Sequence, residues 1–182
     1  MMEVVMREDW DNKPLAIEVV EGCEPEIGRL VWLLEVARER LKEKLTGLER
    51  AILDYQLPNE NSIGTLLYHI ADIEMSWLYE EVVQTDVLPP EVAEMLCFET
   101  RDENGRLTVV SGHSLDEHLH VLDRSRYYLL EVFRQMDLAD FRRLRHLEMY
   151  SCTPEWVLHH LIQHETEHRG QIMTIRTQAE QA

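Results

Sequence analysis

The sequence predicts an all-α protein, a four-helix bundle with a small β-hairpin inserted between its second and third helices. Three observations lead there. Four long segments carry apolar residues at helical spacing, and helix-start signals open each of them. One Asn-Gly turn before a β-branched run, Asn104-Gly105 within Glu99 to Val110, reads as a hairpin between the second and third segments.

The first helix starts near Glu24-Pro25-Glu26, where acidic residues suit the positive end of a helix dipole. Leu30, Leu34, Ala37, Leu41, Leu45 and Leu48 form its stripe, which ends around Gly47 to Arg50. Arg38, Glu39, Lys42, Glu43 and Lys44 fall to its solvated face. The loop Leu57 to Ser62 ends in good N-cap residues, and the second helix follows from Ser62 to Gln84. Its stripe is Ile63, Leu66, Ile70, Ile73 and Trp77. Pro89-Pro90 stops helical structure, and Glu91 to Leu96 reads as a short turn.

Ser114-Leu115-Asp116-Glu117 is a capping box for the third helix, with Leu115, Leu119, Leu122, Leu129, Leu130 and Phe133 as its stripe. Arg126 interrupts that stripe and calls for a carboxylate on another helix. Residues 137–152 are a connector with one short helix around Leu138 to Arg142. The fourth helix runs from Thr153, a good N-cap followed by Pro154, to about Thr177. Its stripe is Val157, Leu158, Leu161, Ile162, Ile172 and Ile175. Residues 1–22 show no sustained period and read as an N-terminal arm, leaving 23–178 as the bundle domain. Four amphipathic helices of this length pack as a four-helix bundle.

The 182 residues are enough for one domain with a proper core, and 45% are hydrophobic. Eighteen Lys and Arg against 35 Asp and Glu give a formal charge of −17, and the pI is about 4.8. Such a surface repels a phosphate backbone, so nucleic acid is not an expected partner. Three cysteines without a C-x-x-C pair argue against a disulfide framework or a thiolate zinc site. The acidic start lacks an apolar signal region, and no apolar run approaches the roughly 18 residues of a membrane span. A cytoplasmic protein without membrane contact is expected.

The chemistry concentrates in the fourth helix. At 100° per residue, His168 falls near the middle of the apolar stripe and His164 lies about 60° from Leu161. His69 flanks the second helix's stripe in the same way, about 60° from Leu66. Three imidazoles turned towards one core would each cost roughly 1 to 3 kcal/mol without partners, and a shared ion removes the conflict. His69, His164 and His168 are therefore the candidate metal ligands. Neutral nitrogen donors suit zinc, nickel, iron or copper, and three protein ligands leave a position open. His160 ranks below the trio, as a fourth ligand or supporting group. His113, His118, His120, His146 and His159 have no partner at ligand spacing and read as surface or capping residues.

His164-Glu165-Thr166-Glu167-His168 also satisfies the H-E-x-x-H pattern of zinc peptidases. The longer peptidase form needs a glycine and a further histidine where Gln171 and Thr174 stand, and the other form needs a downstream glutamate beyond Ala182. Glu165 lies about 40° from Leu161, on the core side. It can act as the catalytic base towards metal-bound water, or it can bond a neighbouring helix or orient a ligand histidine.

The segments Asn61-Ser62-Ile63-Gly64-Thr65-Leu66-Leu67-Tyr68-His69-Ile70-Ala71 and His160-Leu161-Ile162-Gln163-His164-Glu165-Thr166-Glu167-His168-Arg169-Gly170-Gln171-Ile172 resemble the second and last helices of the DinB-like (DinB/YfiT) superfamily. The resemblance covers roughly residues 25 to 177. It implies an up-down-down-up bundle, often a homodimer, with a divalent metal, nickel or zinc, held by one histidine of the second helix and two of the last. Those positions are His69, His164 and His168 here. Relatives include metal-dependent transferases and isomerases that use small thiols such as bacillithiol, mycothiol or glutathione. The resemblance therefore points to a metal-dependent enzyme of the thiol-transferase type, with Arg126 and Arg169 as candidates to meet an anionic group. The alternatives are a metal-dependent hydrolase with Glu165 as base, and a non-catalytic metal-stabilised binding or stress-response module.

Overall fold

A computed structural model describes residues 15–58 and 60–182. The four long helices are α1 (Pro25–Leu45), α3 (Ile63–Ser76), α5 (Leu115–Arg134) and α7 (Pro154–Ala179). Short helices α2 (Arg50–Leu53), α4 (Pro90–Met95) and α6 (Leu138–Phe141) occupy the connections. The segment expected as a short turn is α4 instead: Pro90 at its first position and buried Val92 make it a helix of six residues. Residues 1–14 of the expected N-terminal arm lie outside the described residues. Val20 crosses α1 at Gly28, donating to its carbonyl at 3.3 Å. A Cβ on Gly28 would lie 2.7 Å from a Val19 methyl, so the crossing requires glycine.

Side-chain caps start three of the four helices as the sequence signals them. Ser62 Oγ accepts from Thr65 N–H, Thr153 from Trp156 N–H, and both halves of the Ser114–Glu117 capping box form. After Ser76, α3 continues as a wide π-helical turn (Trp77–Val83) and ends at Gln84, which adopts φ +60°.

Cross-helix pairs give the direction of each helix. Arg38 and Leu34 of α1 meet Leu122 and Arg126 of α5, so these helices run antiparallel. Arg38 meets Glu165, and Lys44 meets Arg176, so α1 and α7 run parallel. Gly64 faces His118 and Glu74 meets Arg126, making α3 and α5 parallel, while His69–His164 and Trp77–Trp156 make α3 and α7 antiparallel. The bundle is up-down-down-up.

The expected hairpin is present in reduced form. One bridge, Arg101 to Leu107, joins its arms beneath the turn at Gly105, whose φ is +75°. Residues 101–106 are all exposed, so no burial rewards a longer ladder. The regular two-stranded pairing lies elsewhere, where β1 (Arg145–His146) pairs antiparallel with β2 (Ser151–Cys152) inside the 137–152 connector.

The core comes in two apolar parts. One holds Ile27, Val31, Leu34, Met75, Leu129, Phe133, Leu158 and Leu161; the other holds Leu41, Leu45, Leu66, Ile70, Leu122, Ile172 and Ile175. Between them, every long helix contributes one charged residue: Arg38, Glu74, Arg126 and Glu165.

Candidate metal centre

Arg38 overturns its assignment to the solvated face of α1, for only 3% of it is exposed. Its Nε donates to Glu165 Oε1 at 2.6 Å, Nη2 to Glu74 Oε2 at 2.7 Å, and Nη1 to the Leu122 carbonyl at 2.6 Å. Arg126 forks onto Glu74 at 2.9 and 3.0 Å, reaches Glu165 Oε2 at 3.0 Å, and meets half-buried Glu35 at 2.6 Å. Two guanidiniums thus face two fully buried carboxylates in bidentate geometry, the arrangement that best offsets the desolvation of buried charge. Burial pushes the Glu74 carboxyl up, but the charges and hydrogen bonds of Arg126 and Arg38 outweigh it and hold it below the usual range. Burial likewise works against the Arg126 cation, and Glu74 and Glu165 overcome it.

A second polar cluster, which includes His164, the residue just before Glu165 on α7, has a different character. His164 Nε2 lies 3.2 Å from His69 Nε2 and 3.0 Å from His168 Nε2. One donor nitrogen from each ring falls within 4.8 Å of the others. A single imidazole nitrogen carries either one hydrogen or one lone pair, so His164 Nε2 cannot satisfy both contacts at once. Burial lowers the His69 pKa to about 4, with His168 and Arg101 adding to the effect. Burial also lowers His164 to about 3, reinforced by His168, His69 and His160. These two rings are neutral at neutral pH.

Neutral nitrogen donors are what a divalent transition ion binds. Metal–nitrogen bonds of about 2.0 Å in a tetrahedral site separate the donors by roughly 3.3 Å, close to the 3.2 and 3.0 Å of the two His164 contacts. The residues fit such an ion. His168 Nδ1 sits 2.9 Å from Gln171 Oε1, the arrangement in which the ring donates from Nδ1 and turns Nε2 inward as a ligand.

The chain matches the family model described as mycothiol-S-transferase over residues 29–181. That span holds all seven residues of the two clusters. The chain belongs to the mycothiol-S-transferase family. This family is part of the DinB/YfiT-like superfamily, in keeping with the resemblance of the second and last helices. A comparison with curated proteins gives no match.

Within this mycothiol-S-transferase family member, the structure brings His69, His164 and His168 together and sets His160 aside. The His160 ring stacks on Trp156 at 5.3 Å and packs against Trp77 at 4.2 Å, forming an aromatic wall that ends 5.9 Å from the His164 ring. The wide turn after Ser76 carries Trp77 into that wall. Both oxygens of Glu165 are engaged by Arg38 and Arg126. Arg126 is wholly occupied by carboxylates and the Leu34 carbonyl, as its place in the stripe suggested. Arg169 is half-buried and makes no ion pair among the described residues.

His118 corrects a second expectation. Read as a surface or capping residue, it is 4% exposed, with its ring against Gly64, where an added Cβ would lie 2.9 Å from Nε2. That nitrogen has no hydrogen-bond partner among the described residues, and burial lowers the pKa to about 4, with His113 adding to the effect. Gln171 and Glu74 were not singled out by sequence. Glu74 stands four residues after Ile70, the same offset that places Glu165 after Leu161, and that offset was the available signal. Among the described residues, no helix is long and apolar enough to cross a membrane.

Proposed function

We propose that this protein is a metal-dependent thiol S-transferase in which His69, His164 and His168 hold a divalent ion, nickel or zinc. One observation carries the reading: three imidazole Nε2 atoms converge, His164 Nε2 lies within hydrogen-bond distance of both others and can satisfy only one, and no carboxylate joins the group among the described residues. Membership of a thiol-transferase family supports the choice of chemistry. A bound divalent ion of this kind favours thiolate over thiol at neutral pH. Overall, the S–H bond of the thiol and a carbon–leaving-group bond of the electrophile break, a carbon–sulfur bond forms, and the proton departs with the leaving group.

The chain's own residues hold and orient. Gln171 fixes the His168 ring through Nδ1. The Arg38–Glu74–Arg126–Glu165 layer ties α3 to α7 next to the triad. The aromatic wall of Trp77, Trp156 and His160 gives an apolar flank on the His164 side, suited to a non-polar electrophile. Hydrolysis with Glu165 as base has less support, because its carboxylate already accepts from two guanidiniums. Glu165 is better read as a structural partner of those arginines.

The test is conjugation of a thiol to an electrophile such as monobromobimane by zinc- or nickel-loaded protein, compared with His69→Ala. Turnover that needs both the metal and His69 is expected. Metal-loaded protein that binds one ion tightly but accelerates no thiol would favour the non-catalytic module instead.

A further inference from the structure

The aromatic wall beside His164 has a fourth member and a charge beneath it. Tyr150, from the turn between β1 and β2, lies 6.3 Å from the Trp77 ring. Trp156 and Tyr150 are each 46% exposed, so the wall offers open ring surface to a ligand. Glu81 follows Trp77 by four residues on the same π-helical turn and is 6% exposed. The Tyr150 hydroxyl donates to its Oε1 at 2.6 Å, while its Oε2 is buried without a hydrogen-bond partner among the described residues. Arg145, which like Glu81 lies near Cys152, is engaged instead by Asp140 and the Val82 carbonyl. Two exposed carboxylates add to the charge, Glu80 near Glu81 and Glu167 near His160. Glu74 and Glu165 each meet two guanidiniums; Glu81 meets none among the described residues.

We propose that this wall is a subsite for a cationic electrophile: it stacks the non-polar body of the second substrate and holds an ammonium group on that body against Tyr150 and Trp156, with Glu81 as counter-charge. The inference rests on the thiol-transferase reading of the triad. A buried carboxylate that lacks a cation is costly, and a ligand cation on the ring above it offsets that cost. Ring faces of Trp and Tyr attract cations through their quadrupole. Donation from the Tyr150 hydroxyl to a carboxylate makes that ring richer in electrons, and salt screens a charge at this depth only weakly. The wall ends 5.9 Å from the His164 ring, so one substrate can lie along it and reach the triad. Arg101, a cation near the triad, acts on His69 rather than on His160, which leaves the wall acidic.

The experiment separates binding from turnover. The binding probe is benzyltrimethylammonium, which carries no halide for a thiol to displace. Titrated into the zinc-loaded full chain, it should shift the indole N–H NMR signals of Trp77 and Trp156, and benzyl alcohol at the same concentration should not. Glu81→Gln and Trp156→Leu should each weaken its binding about five-fold. Glu81→Gln keeps an acceptor for Tyr150, and Trp156→Leu alters an exposed side chain, so either variant decides if the other fails to fold. The turnover probes are monobromobimane and monobromotrimethylammoniobimane, which share one ring system and one bromomethyl carbon. With either, the C–S bond forms, the C–Br bond breaks and the thiol proton departs with bromide. After division by the uncatalysed rates, wild type should favour the cationic bimane about five-fold in kcat/KM, and Glu81→Gln should favour neither. Indole shifts that depend on Glu81 without any turnover would retain the subsite and sink the transferase reading. Indole signals unmoved by the probe, turnover without preference for the cation, or a preference that survives Glu81→Gln would overturn the subsite.

Discussion

Two polar clusters interrupt the apolar interior of this bundle, and they are built in opposite ways. In the Arg38–Glu74–Arg126–Glu165 layer, positive and negative groups alternate at 2.6 to 3.0 Å, and each charge meets its opposite. In the His69–His164–His168 triad, like groups crowd to 3.0 and 3.2 Å with no counter-charge among the described residues. The layer is complete within the protein; on the proposed reading, the triad is completed by a cation. Glu165 and His164 are chain neighbours, yet each belongs to a different cluster. A one-residue step on a helix turns the side chain by about 100°, which is enough to separate a structural charge from a candidate metal ligand.

The contrast is tested most severely by deleting one member of each cluster. Glu74→Ala strands two buried guanidiniums, and breaking such a pair costs about 3 to 5 kcal/mol. For a chain of this size that is roughly a 10 °C fall in Tm, to be read by calorimetry on metal-free protein. His164→Ala should leave the metal-free Tm nearly unchanged, within about 1 kcal/mol, because it removes a contact that was never satisfied. Equal losses in the two variants would erase the distinction.

His118 extends the comparison to pH, since it is a buried imidazole whose Nε2 has no hydrogen-bond partner among the described residues. Its folded pKa of about 4 lies below the unfolded value of about 6.5. The unfolded chain therefore takes up a proton first as pH falls. The stabilising contribution is complete above pH 6.5 and is lost on the way down to pH 4. Between pH 7 and pH 5, urea titrations should show wild type losing about 2 kcal/mol more than His118→Gln. Parallel losses would mean that His118 is protonated in the folded state.

The smallest expected effect concerns Gln171. Replacing it with Leu removes the acceptor of His168 Nδ1–H and should weaken metal binding about ten-fold while sparing the layer. Competition against a chromophoric chelator measures it. An unchanged affinity would make the His168–Gln171 contact incidental.

Much of this architecture is legible in the sequence because apolar periodicity and capping chemistry are local properties. Ser62, Ser114 and Thr153 cap where their types predict, and the 100° step places His69, His164 and His168 on facing stripes. The layer was only half visible. Arg126 and Glu165 stood out on core faces, whereas Arg38 was counted with the solvated charges around it. Yet Arg38, Glu74, Arg126 and Glu165 each follow a core Leu or Ile by four residues: Leu34, Ile70, Leu122 and Leu161. A step of four is about 40° of rotation, so each charge had to enter the core or bend away. Two inward charges of each sign on four helices were the missing clue. His118 was hidden for another reason. Its burial depends on Gly64 of α3 leaving room for the ring, a tertiary fact that no property of its own helix reports.

Metal stoichiometry measures the division of labour between the two clusters most directly. Metal-free wild type, His69→Ala and Glu165→Gln are each titrated with zinc and with nickel, and the bound ion is counted by elemental analysis after desalting. One equivalent should bind wild type and Glu165→Gln, and none should remain on His69→Ala. An ion retained by His69→Ala, or lost from Glu165→Gln, would contradict the assignment of the triad as the metal centre and the layer as its scaffold.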